Sequence, residues 1–104
     1  MTSQYQAVFV LPSQTSMRLG ACGWEFSSEN RVAPEVLKSL VEAMHLQEQP
    51  STLGMEVYEG DGMKLTASVD DRGIEHLFFQ LRQRSPHEIE SVIRGRNVEV
   101  FAPD

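Results

Sequence analysis

Apolar and polar residues alternate with the two-residue period of a β-strand through most of residues 54–84, and turn-forming clusters break the alternation twice. Met55 and Val57 open the run, and Gly60-Asp61-Gly62 interrupts it. An Asp-Gly pair supplies the positive φ angles of tight hairpins, so a turn is predicted there. Met63, Leu65, Ala67 and Val69 then share one strand face, with Lys64, Thr66 and Ser68 on the other. Asp70-Asp71-Arg72-Gly73 predicts a second turn, with Gly73 free to take a left-handed conformation. Ile74 to Gln83 predicts a third strand, placing Leu77, Phe79 and Leu81 on one face and His76, Phe78, Gln80 and Arg82 on the other. Phe78 is the misfit, a large apolar ring on the face the pattern otherwise marks as wet. It is expected either under partial cover or as a contact residue.

The rest of the chain is expected to pack against this meander. Tyr5 to Leu11 carries apolar residues on both strand faces, which predicts a strand near the middle of a sheet. Met17 to Phe26 alternates as a strand does, but Gly20 and Gly23 weaken it or mark a bulge. Pro34 suits a first helical turn, and Val36, Leu37, Leu40, Val41 and Met44 form one apolar stripe behind it. Ser85-Pro86-His87-Glu88 has the form of a capping box, followed by Ile89, Val92 and Ile93 on one face and by Gly95 as a left-handed stop. Val98 to Phe101 predicts a last strand. The order β(β)αβββαβ predicts one α+β domain over residues 1–104. Its single-layer, mostly antiparallel sheet would have about four to six strands, with two helices packed on one face. The closing strand–helix–strand unit predicts a right-handed crossover and a last strand parallel to another strand. The face opposite the helices would be open and would carry Phe78.

Charge narrows the partners. Fifteen acids against nine bases give a formal net charge of −6, which disfavours nucleic acid or an anionic membrane and suits a basic protein partner. Cys22 is the only cysteine, so no internal disulfide forms. Val8 to Leu11 is far too short for a signal peptide or a membrane span, and a cytoplasmic protein is expected.

No motif fixes a chemistry. His45, His76 and His87 lack metal-ligand spacing, so neither a metal nor a cofactor is expected. Cys22, uncrowded between Ala21 and Gly23, could act as a nucleophile only with a histidine brought near by folding; the bland alternative is a small buried residue at a bend. Glu56, Glu59, Asp61, Asp70, Asp71 and Glu75 gather on the meander with only Lys64 and Arg72 opposing them. The two turns fall at opposite ends of the middle strand, so these acids do not make one compact site. They read either as turn formers or as a docking surface, with Trp24, Tyr58 and Phe78 as aromatic anchors. The leading expectation is a non-enzymatic protein that docks a basic partner through these residues. Its most concrete form is an inhibitor of a toxic bacterial nuclease. The chain is similar to such immunity proteins in size, acidity and mixed fold, and no motif carries the likeness. The alternatives are a small ligand-binding or catalytic domain using Cys22 and a histidine, and a homodimer that buries Phe78 against a second copy.

Overall fold

The computed structural model describes residues 5–51 and 54–102; the remaining positions of the expected domain lie outside the described residues. The chain runs β1 (Gln6–Pro12), β2 (Ser16–Gly20), β3 (Gly23–Ser27), α1 (Pro34–Ala43), β4 (Gln47–Gln49), β5 (Met55–Gly60), β6 (Met63–Asp70), β7 (Gly73–Leu81), α2 (Pro86–Ile93) and β8 (Val98–Phe101). The fold is α+β, with the expected order of strands and helices. Two short pieces are added. The stretch from Met17 to Phe26 is a hairpin, β2–β3, and β4 precedes the meander. A six-stranded sheet has the order β4-β5-β6-β7-β1-β8, and β2–β3 forms a separate two-stranded sheet.

The meander is β5–β6–β7. Of the Asp61-Gly62 pair only Gly62 takes a positive φ, 72°, and a Cβ there would come within 2.8 Å of the Arg82 carbonyl oxygen. Ser68 pairs with His76 and Val69 with Ile74, so Glu75 is an extra residue that bulges out of β7. The bulge shifts the alternation and lets Ile74 join Leu77, Phe79 and Leu81 in the core.

β8 corrects one expectation. It runs in the same direction as β7, as a crossover through α2 requires, yet it does not pair with β7. β1 lies between them and is antiparallel to both. The doubly apolar pattern of β1 is what suits it to that central slot. Every pairing in the six-stranded sheet is therefore antiparallel among the described residues.

Both helices lie on one face. Val36, Leu37 and Leu40 from α1 and Ile89 and Ile93 from α2 share a core with Val8, Val10, Leu65, Ala67, Leu77 and Phe79. Each of these side chains larger than alanine contributes roughly 1.5–3 kcal/mol when fully buried. α1 ends on a Schellman turn, where Leu46 N–H donates to the Val41 carbonyl at 3.0 Å and His45 takes φ 55°. α2 starts at the predicted box. Ser85 Oγ accepts from the His87 N–H at 3.2 Å, and Glu88 Oε2 accepts from the Ser85 N–H at 3.3 Å.

The opposite face is not fully open. The β2–β3 hairpin lies across the end of the sheet formed by β7, β1 and β8. Phe26 packs on Phe9 with ring centroids 4.9 Å apart, and Trp24 meets Phe101 edge-on at 4.8 Å.

Candidate functional site

Strand register builds the floor of this site. Phe9 pairs across β1 with Phe78 on β7 and with Phe101 on β8, so three rings stand in a row on the helix-free face. The Phe9 and Phe78 centroids are 4.8 Å apart, within the range of favourable ring pairs. The hairpin pairs Met17 with Phe26 and Leu19 with Trp24, which puts its apolar side toward these rings. Its other side carries the exposed Arg18–Glu25 ion pair at 2.6 Å. The hairpin overhangs the sheet, because Leu19 stays 65 % exposed and Trp24 39 %.

Beneath it lies a cleft of about 400 Å³ lined in part by Phe9, Trp24, Phe26, Arg31, Glu75 and His76. Arg31 lies on the loop after the hairpin, and its own chain engages all three of its side-chain nitrogens and four of its five N–H donors. Its Nε and Nη2 donate to the two Asp70 carboxylate oxygens at 3.3 and 2.6 Å. Its Nη1 donates to the Ser28 and Asn30 carbonyls at 3.1 and 2.9 Å. The hydrogen bond from Arg31 is the main reason the Asp70 carboxyl is held down at about 2; the Arg72 and Gly73 amides add to it, against the cost of burial.

His76 sits against Phe26 and Phe9 at centroid distances of 5.3 and 6.0 Å, and its Nε2 is 3.4 Å from Ser68 Oγ. Burial pushes its pKa below the ordinary 6.5, partly offset by the Glu75 charge. It is therefore neutral at pH 7. Glu75, carried outward by the bulge, is exposed and belongs to none of the ion pairs found among the described residues. Its charge also acts on Arg31. With Arg31 and Asp70 cancelling and His76 neutral, Glu75 leaves the cleft rim negative.

The structure divides the expected contact residues. Trp24 and Glu75 line the cleft, Phe78 stands beside its floor, and Asp70 lies behind it through Arg31. Asp71 is exposed in the adjoining turn. Glu56 and Tyr58 lie elsewhere. Tyr58 pairs with Leu65, a helix-side position, and donates to Glu56 Oε1 at 3.0 Å. Burial, together with the Glu56 hydrogen bond, pushes the Tyr58 hydroxyl up to about 12. Glu59 and Asp61 flank the β5–β6 turn, at the end of β6 away from Asp70. Phe9, Phe26, Phe101 and Arg31 complete the site and were not singled out from sequence. The three phenylalanines left a signal as large apolar residues on predicted strands; Arg31 left none.

Cys22 sits exposed in the hairpin turn. It is four strand positions, roughly 13 Å, from Phe26, the hairpin residue that touches His76. Cys22 thus lies at the turn end of the hairpin, whereas His76, on β7, packs near the hairpin's other end against Phe26. His87 instead faces Glu90 at 3.2 Å. No cluster of metal-ligating side chains occurs among the described residues, and no described helix is long and apolar enough to cross a membrane. Comparison of the chain with known protein families, curated proteins and solved structures finds no match.

Proposed function

We infer that the chain is a non-enzymatic acidic binding protein that docks a basic protein partner, in its most concrete form as a cytoplasmic immunity-type inhibitor of a bacterial toxin nuclease. The observation that carries this reading is the half-covered aromatic cleft with Glu75 at its rim and the arginine that lines it, Arg31, already neutralised by Asp70. Aromatic residues, phenylalanine included, are enriched at interfaces, and tryptophan is among the residue types that dominate binding energy. Asp71 and Glu75 supply attraction for lysine and arginine. A nuclease holds phosphate and presents a basic active site, so an acidic surface with an apolar centre is attracted to it and then blocks it. Inhibition of this kind is steric and needs no chemistry from the inhibitor.

Within this reading the contact surface contracts to Trp24, Phe78, Asp71 and Glu75, with Asp70 as the residue that fixes Arg31. Glu56, Tyr58, Glu59 and Asp61 fall outside it. The test is a pull-down with tagged protein from native cell extract at low and at high salt. One basic protein should be retained at low salt and released at high salt. Retention should fall at least tenfold with Trp24→Ala and severalfold with Asp71→Asn. Asp71 is the better probe than Asp70, whose replacement would also release Arg31. Absence of any basic partner, or a partner indifferent to both substitutions, would overturn the reading.

A further inference from the structure

We propose that the cleft receives one arginine side chain of the partner, with its guanidinium against the Phe9 and Phe26 rings and paired with the Glu75 carboxylate. This rests on the docking reading and adds the chemistry of the inserted group.

The charges in the cleft select a cation. An anion would need the Arg31 fork, but the Nε and both Nη atoms of Arg31 are engaged by Asp70, Ser28 and Asn30. Its charge is cancelled at 2.6 Å by a carboxylate with which it is partly buried. His76, packed against both Phe9 and Phe26, adds no positive charge at neutral pH, because burial lowers its pKa. What remains is Glu75, set on the rim by the bulge that the β6–β7 register forces. A carboxylate beside aromatic rings is a receptor for a cation, because ring faces attract positive charge from within about 6 Å.

Shape favours arginine over lysine. The cleft, about 400 Å³, lies at the small end of ligand sites, which span roughly 300–1,000 Å³. That suits a single side chain. A guanidinium is planar, weakly hydrated and able to stack on a ring while its edge pairs with a carboxylate; an ammonium is compact and strongly hydrated. Phe9 and Phe26, tilted 57° to each other, both line the cleft, so ring surface is available there for a flat group to stack on.

The probes are ethylguanidinium, ethylammonium and ethylurea, the last being flat and uncharged. Each is titrated into the protein while the amide resonances of the cleft and the fluorescence of Trp24 are followed. Ethylguanidinium should shift Phe26, Glu75 and His76 saturably. Ethylammonium should bind severalfold more weakly, and ethylurea at least tenfold more weakly. Glu75→Gln, at an exposed position, should weaken ethylguanidinium at least threefold while leaving the spectrum that of a folded chain. An equal response to ethylurea, a response spread evenly over all carboxylates, or no effect of Glu75→Gln would overturn the proposal. The two readings separate cleanly. A captured basic partner that depends on Trp24 and Asp71 but ignores Glu75→Gln leaves docking intact and removes the arginine pocket. Saturable ethylguanidinium binding without any basic partner does the reverse.

Discussion

Val8 and Phe9 are adjacent in β1, yet they face different surroundings. Val8 points into the helix-side core and is fully buried; Phe9 points the other way and stays half-buried under the hairpin. The same division runs through β7, where Phe79 is fully buried and Phe78 half-buried. Two helices close the first face. On the second, the two five-residue strands of the hairpin reach only part of the sheet. The closed face is mostly aliphatic and packs as an interior. The part-closed face holds Phe9, Phe78, Phe101, Phe26 and Trp24, rings that keep contact with one another while part of each remains accessible. A sheet can thus be stable through one side and keep the other for recognition.

The largest expected effect tests that division directly. Phe79→Ala should cost about 3–5 kcal/mol of stability, the range for truncating a fully buried ring. Phe78→Ala should cost only about 1–2 kcal/mol, in line with partial burial, and should weaken partner capture more than Phe79 truncation weakens it per folded molecule. Urea unfolding of both variants measures the contrast. Equal losses would mean that the two faces are equally closed and would break the comparison.

Next in size is the hairpin anchor. Trp24→Ala removes the edge-on contact with Phe101, and such a pair is worth about 0.5–1.5 kcal/mol beyond its buried area. The loss should be local. Amides of residues 16–27 should exchange faster with solvent while those of β6 and β7 keep their protection. Uniform acceleration across the sheet would show that the hairpin is part of the main core.

The closed face was the legible one. Alternation in β6 and β7 and the stripes of both helices pointed to the core, and the capping box marked the start of α2. The hairpin was harder to read because its turn lacks turn-forming side chains. Gly20-Ala21-Cys22-Gly23 closes β2–β3 just as Asp70-Asp71-Arg72-Gly73 closes β6–β7. Each ends on a glycine of positive φ, 117° at Gly23 and 128° at Gly73. Asp70 and Asp71 announce the second turn; Ala21 and Cys22 do not announce the first. Arg31 was invisible for a different reason. Its partner, Asp70, is 39 residues away, and no local pattern encodes a contact at that separation. The Glu75 bulge likewise depends on pairing with β6 and not on β7 alone.

The smallest expected effect separates the faces by pH. No polar or charged residue is fully buried in the helix-side core among the described residues, and Tyr58, the hydroxyl that burial shifts on that side, is pushed up to about 12, far above this pH range. On the other face His76 is pressed against Phe9 and Phe26, with Glu75, Arg31 and Ser68 as its polar neighbours. Burial holds its pKa below 6.5 in the folded chain, and Glu75 only partly opposes that. As pH falls past 6.5 the unfolded chain takes up this proton first, so stability is full above that value and is lost as pH drops through the lowered folded value. Asp70 acts in a separate window. Its contribution is full above 3.8 and is lost as pH falls toward about 2, where the Arg31 pair finally breaks. His76→Phe keeps a ring in the aromatic cluster and removes the upper titration. Between pH 7.5 and 5 the urea midpoint of the parent chain should decline more than that of His76→Phe, while below pH 4 the two should fall together. Parallel curves over the whole range would mean that His76 is as solvated in the folded chain as in the unfolded one. The cleft would then be wet at its floor, and the rings around it would offer far less binding surface than their packing implies.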